Sequence, residues 1–205
     1  MPDYRRSIAP GGTFFFTVVS RWRRPILCHP AIRASLREAI TVVRDAHPFA
    51  IDGWVLLPDH LHCVWTLPEG DGDFSARWSK LKRYVTQRAE GAVVGAHGAS
   101  CVIDTVGCAV DAVHGARGAP YGHAGSRRRE GRIWQRRFWE HQVRDQLDMA
   151  RCLDYLHWNP VRHGHVRAVV DWPYSSFHRH VRQGHYPAGW GGPGGDDCDG
   201  GIFGE

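Results

Sequence analysis

Two histidines separated by a single leucine, His60 and His62, lie inside the stretch "PDHLHCVW". On an extended strand, positions i and i+2 point to the same side, roughly 6.5–7 Å apart. Both imidazoles therefore converge on one face, while Leu61 and Cys63 take the other. Two rings so placed can share one metal ion; the plain alternative is a pair of histidines facing solvent. Further along, Met149, Cys152, Leu153 and Leu156 recur at helical spacing and form an apolar stripe. At about 100° per residue, Tyr155 and Asn159 fall together beside that stripe, one turn apart. That position is the rim of a helix–sheet contact. A phenol can form a covalent phosphoester once a metal polarises the phosphate, and an amide oxygen can serve as a third ligand to the ion. Taken singly, Tyr155 reads as a half-buried packing residue and Asn159 as a polar helix end before Pro160.

The elements that must position these residues follow from periodicity. Residues 13–20, "TFFFTVVS", read as a first strand. From Pro30 to His47, Ile32, Leu36, Ile40 and Val43 repeat at helical spacing, and Pro48 stops the helix. Residues 49–57 and 60–67 form a hairpin turned at Pro58 and Asp59. Ser75 is placed as the cap of a second helix whose inner face is Trp78, Leu81 and Val85. "RIWQRRFW", 132–139, returns to strand-like residues, and Asp145 caps a third helix that ends at Asn159 before Pro160. His157 points nearly opposite Tyr155 and is excluded from the site. Glu140 and His141 read as solvated surface groups, and Cys63 and Cys152 as core thiols. The order strand, helix, strand, strand, helix, strand favours an α+β fold. It is a ferredoxin-like (RRM-like) antiparallel sheet with helices on one face, plus a C-terminal helix carrying the tyrosine.

A chain of 205 residues suggests one domain, here residues 1–183. Residues 91–131 are rich in Gly and Ala without steady periodicity and read as a flexible insertion. Residues 184–205 form a Gly-rich tail expected to be disordered. No apolar run is long enough to span a membrane, and the opening carries no secretory signal. Six scattered cysteines without a C-x-x-C pair fit neither a disulfide framework nor a zinc cage, and suggest reduced thiols in the cytoplasm. The net charge is +5, and of the 26 basic residues only Lys80 and Lys82 are lysines. Arginine offers planar, bidentate phosphate contacts. It clusters at Arg5, Arg6, Arg21, Arg23 and Arg24, and again at Arg127–Arg129, Arg132, Arg136 and Arg137. Trp134, Phe138 and Trp139 interleave with the second cluster, a mixture suited to tracking phosphates and stacking bases.

Four ordered segments carry a resemblance to a known family. "LLPDHLHCVWTLPEG" resembles the histidine segment of the His-hydrophobic-His single-strand transposases. "IWQRRFWEHQVRD", "DYLHWNPVRHG" and "DWPYSSFHRHV" are similar to those of the REP-associated tyrosine transposases, and the opening "YRRSIAPGGTFFFTV" fits the same family. The resemblance covers about residues 4–90 and 132–190. It implies that His60, His62 and Asn159 hold Mg²⁺ or Mn²⁺, with Mn²⁺ the better binder for imidazoles. It implies that Tyr155 attacks a phosphodiester, becomes linked to the 5′-phosphate and releases a 3′-hydroxyl. The implied substrate is single-stranded DNA bearing a REP-type hairpin. Arg5, Arg6, Arg132, Trp134, Arg136 and Arg137 are the residues expected to touch it, in a monomer or homodimer. The joint presence of the four site residues favours catalysis over a hairpin-binding module of the same fold. The stretch 91–131 departs from the family, whose link there is shorter.

Overall fold

The computed structural model describes residues 9–94 and 132–192. Arg5, Arg6, most of the 91–131 insertion and the end of the tail lie outside the described residues. Strands β1 (Thr13–Val19), β2 (Ala50–Leu56), β3 (His60–Thr66) and β4 (Trp139–Gln142) form one antiparallel sheet in the order β2-β3-β1-β4. Helices α1 (Pro30–Ala46) and α2 (Phe74–Val94) connect β1 to β2 and follow β3. Helix α3 (Gln146–Arg162) and a short α4 (Phe177–Arg182) follow β4 among the described residues. The α+β class read from the sequence is the one observed.

Strand alternation divides the work between the two sheet faces. Phe14, Phe16, Cys63 and Trp65 point to the side of α2, where the Trp65 ring stacks on Trp78 with centroids 4.2 Å apart and Phe16 meets Phe74 at 5.3 Å. Thr17, Phe15, His60 and His62 point the other way, toward α3. Gly53 opens the approach of that helix. A Cβ there would lie 2.6 Å from Leu153 Cδ2 and 3.2 Å from Leu156 Cδ1, at a register shift between Ile51 and Gly53. A β-bulge and a missing side chain together let α3 sit low on the sheet.

Five local expectations are corrected. The α2 cap is Asp73, whose Oδ1 accepts from Ala76 N at 2.9 Å, and Ser75 lies inside the helix. Arg132–Phe138 is not strand: apart from an isolated bridge between Ser20 and Trp134, β4 begins only at Trp139. Its residues are strand-formers, but Ile133 and Trp134 turn into the core and take the segment off the sheet line. Helix α3 does not stop at Asn159. It runs through Pro160 to Arg162, because proline this close to the end removes little more than one backbone bond and the Pro160 carbonyl accepts from His165 N at 2.9 Å. Glu140 and His141 are not solvated: Glu140 is 5 % exposed, and His141 Nε2 donates to Asp148 Oδ2 at 2.9 Å. Finally, the tail does not leave the fold at Tyr186. Trp190 reaches Tyr186 with centroids 4.8 Å apart and also contacts Phe177 and Trp158.

Candidate active site

His60 and His62 are 1 % and 0 % exposed, so the solvent-facing alternative is excluded. Helix α3 covers them. Their ring centroids are 4.8 Å apart and nearly perpendicular. Each ring is held through Nδ1. His60 Nδ1 donates to Asp59 Oδ1 at 2.7 Å, and His62 Nδ1 lies 2.9 Å from Thr17 Oγ1, the residue opposite it in the β1–β3 register. Carboxylate and hydroxyl partners on the far nitrogen fix ring orientation and raise ligand basicity. Burial of Asp59 works against its charge. The hydrogen bonds from His60 and Arg23 and the charge of Arg23 outweigh that, and its carboxyl stays below the usual carboxylate range.

The third ligand candidate also arrives. Asn159 is fully buried, and its Oδ1 lies 3.3 Å from His60 Nε2. With His60 Nδ1 already committed as a donor to Asp59, a neutral ring presents the Nε2 lone pair to an oxygen. Two lone-pair donors so placed fit a shared cation: bonds of about 2.1 Å meeting near a right angle span about 3 Å. The residues present therefore fit the implied divalent ion, with two imidazoles and an amide oxygen tilting preference toward Mn²⁺ over Mg²⁺. Asp59 is a positioning group that sequence reading treated only as turn chemistry. Asp59→Ala is expected to lower Mn²⁺ affinity by roughly 10–100-fold, the cost of losing such an outer partner, with the circular dichroism spectrum unchanged. Wild-type affinity in a calorimetric titration would remove Asp59 from this role.

Tyr155 lies on the same face. Its ring centroid is 5.3 Å from that of His62 and 5.9 Å from Phe15, both edge-on. The Arg162 guanidinium carbon sits 5.4 Å from the ring centroid. Tyr155 is 5 % exposed, so it belongs to the buried interior of the contact and not to its rim. The helical wheel places it beside the stripe but cannot show what covers it from above. Arg162, two turns further along α3, lies over the ring, and the His163 ring returns to within 5.2 Å of His60.

His157 is excluded, as the wheel indicates. It faces away, 3.0 Å from Ser176 Oγ and beside the His180 ring, and burial pushes its pKa down to about 3. A second cluster of ligand-type residues, His141, Asp148 and Cys152, lies within 4.8 Å. Asp148 already accepts from His141 Nε2 and from Arg144 N and Nε, and burial pushes the Cys152 thiol up to about 12. This cluster works as a clasp between β4 and the first turn of α3, whose cap is Asp145 as read from the sequence.

Among the residues expected to touch DNA, Arg132, Arg136 and Arg137 are exposed on the irregular segment before β4. Trp134 is 4 % exposed and serves the core. Arg21 N donates to Ile133 O at 2.7 Å, which brings the Arg21–Arg24 turn alongside this segment. Two basic clusters more than a hundred residues apart in the chain are thus neighbours.

No family model matches the chain. Among curated proteins it is 41 % identical over 192 residues to a REP-associated tyrosine transposase of Escherichia coli, spanning 94 % of this chain and 92 % of that one. It is 36 % identical over 192 residues to a putative REP-associated tyrosine transposase of Haemophilus influenzae, spanning 94 % of each. A solved structure of a REP-associated tyrosine transposase bound to a REP hairpin superposes with a TM-score of 0.69 at 39 % identity, covering 96 % of this chain and 95 % of that chain. Identity at this level over nearly the whole length settles the family: the chain belongs to the REP-associated tyrosine transposases.

Proposed function

We propose that the chain cuts and rejoins single-stranded DNA beside a REP-type hairpin through a covalent bond between Tyr155 and a 5′-phosphate. The observation that carries this reading is the row Tyr155, His62, His60, Asn159 on one buried face. The relative bound to a REP hairpin supports the choice of substrate. As the phenol oxygen attacks, an O–P bond to Tyr155 forms and the P–O3′ bond breaks. The phenol proton leaves to solvent, and the departing 3′-oxygen takes one up. One phosphodiester is exchanged for another, so attack by a 3′-hydroxyl on the phosphotyrosine restores DNA without an outside energy source. Arg162 sets a positive charge over the phenol ring, where it favours loss of the hydroxyl proton ahead of attack. His60, His62 and Asn159 would hold a divalent ion, which would supply charge neutralisation to the reacting phosphate. Arg132, Arg136 and Arg137, with the Arg21–Arg24 turn, provide phosphate contacts that carry no sequence information of their own.

The test is incubation with hairpin oligonucleotides carrying single-stranded flanks, with and without Mn²⁺ or Mg²⁺, followed by denaturing gels. Shortened strands and an ion-dependent protein–DNA adduct are expected. A shift on native gels with no cut strand under any ion would mark the chain as a binding module instead.

A further inference from the structure

We infer that Trp22 is a stacking platform for one unpaired base of the DNA strand, held beside the histidine pair by a strained turn; the ligand's identity as DNA rests on the function proposed above. Strand β1 ends at Val19, which lies opposite His60 in the β1–β3 register. Three residues later, Trp22 is 72 % exposed, more than any other large apolar side chain among the described residues. Its backbone stands at φ 58° and ψ 27°, and Arg23 follows at φ 50°. These are the only non-glycine residues with positive φ among those described. A bulky residue avoids this region, where Cβ crowds the following carbonyl. Glycine or asparagine would make the same turn without that crowding.

The turn is nonetheless fixed on several sides. Arg23 N donates to Ser20 O at 3.1 Å, Ser20 Oγ to Arg24 O at 2.7 Å, and Ser20 N to Asp59 O at 2.7 Å. Arg23 Nη1 donates to Asp59 Oδ2 at 3.1 Å, while the other oxygen of that carboxylate holds His60. One acidic side chain therefore ties the Trp22 turn to an ion-binding ring. The Arg21 guanidinium carbon lies 4.0 Å from the indole centroid, a cation–π contact that steadies the ring in solvent.

An exposed indole in a costly backbone conformation has no packing to explain it, and strain of this kind collects where structure serves a ligand. Its surroundings name the ligand. Arg21, Arg23 and Arg24 lie beside it, and the Arg132–Arg137 segment is joined to the same turn through Arg21 N and Ile133 O. An aromatic face set among guanidinium groups is the device that holds single strands, since every base offers a π-face and every nucleotide a phosphate. The link through Asp59 to His60 places the stacked base within a few nucleotides of the phosphate that Tyr155 attacks. Stacking of this kind contributes affinity and positioning, and leaves the identity of the base unread.

The experiment measures binding by fluorescence anisotropy in the full chain carrying Tyr155→Phe, so that no strand is cut. The ligand is a hairpin oligonucleotide with a single-stranded flank. Trp22→Ala and Trp22→Gly are expected to bind about 5- to 150-fold more weakly, the range for one lost base–aromatic stack. Trp22→Tyr retains most of the affinity. Trp22→Gly should also unfold at a denaturant midpoint at or above that of the parent, because glycine suits the turn. Weaker binding from a protein no less stable separates a ligand-binding role from a structural one. An abasic nucleotide is then walked along the flank. At one position the loss caused by Trp22→Ala should vanish, the two changes removing the same contact. Unchanged affinity of Trp22→Ala, or an equal loss on every abasic substrate, overturns the inference. Binding is read without cleavage, so the outcomes separate. A chain with Tyr155 restored that shows the Trp22 effect but forms no adduct keeps this inference and loses the proposed chemistry; intact adduct formation with no Trp22 effect does the reverse.

Discussion

Tyr155→Phe is expected to leave hairpin binding intact and to abolish the covalent adduct, lowering strand cleavage by a factor on the order of 10⁴ or more, as loss of a nucleophile does elsewhere. Phenylalanine preserves the ring that Phe15, His62 and Arg162 surround, so the helix–sheet contact survives and only one oxygen is removed. Among the described residues no other tyrosine can take its place at the histidines by a local shift: Tyr84 donates to Glu38 Oε2 at 3.3 Å, Tyr174 lies under Arg33, and Tyr186 donates to Asp154 Oδ1 at 2.5 Å. The measurement is cleavage of flanked hairpins on denaturing gels, with binding followed in parallel. Cleavage at the parent rate would show that water or another side chain attacks the phosphate, and the nucleophile assignment would fall.

His60→Ala should act differently, striking ion affinity and cleavage together. Loss of a direct ligand costs more than the roughly 10–100-fold typical of an outer partner, so Mn²⁺ affinity is expected to fall by more than about 100-fold. Cleavage at low Mn²⁺ should fall with it. Partial recovery at high Mn²⁺ would separate lost binding from lost chemistry. Because the ring also donates to Asp59 and faces Asn159, its removal leaves both oxygens without this partner. An unchanged dependence on divalent ions in this variant would show that the ion does not bind at the histidine pair.

Much of this arrangement is legible before any coordinates. The alternation in His60-Leu61-His62 fixes which face carries the rings, since a two-residue period leaves no other choice. The four-residue spacing of Tyr155 and Asn159 fixes that they travel together. What periodicity cannot give is depth. A helical wheel assigns Tyr155 to the edge of the stripe, but whether an edge is wet depends on what lies over it, and here Arg162 does. The second partners are hidden for a similar reason. Thr17 meets His62 only through the β1–β3 register, and that pairing spans 45 residues. Asp59 is adjacent to His60 in sequence, yet "Pro-Asp" reads first as a turn. The aromatic in the basic region is the sharpest reversal. Composition points to Trp134, which the fold buries, whereas Trp22 stands in solvent because its turn cannot tuck it inward. Core or surface is decided by the direction of the backbone, and the residue type alone does not carry it.

Helix α3 lays Tyr155 and Asn159 against the histidines of its own sheet, with Gly53 clearing the way. On the proposed function, each polypeptide would, in genetic terms, own a whole reaction centre. An allele lacking the phenol and one lacking an imidazole have nothing to lend each other, so their co-expression should fail to complement. For the same reason, the activity per molecule should hold on extreme dilution.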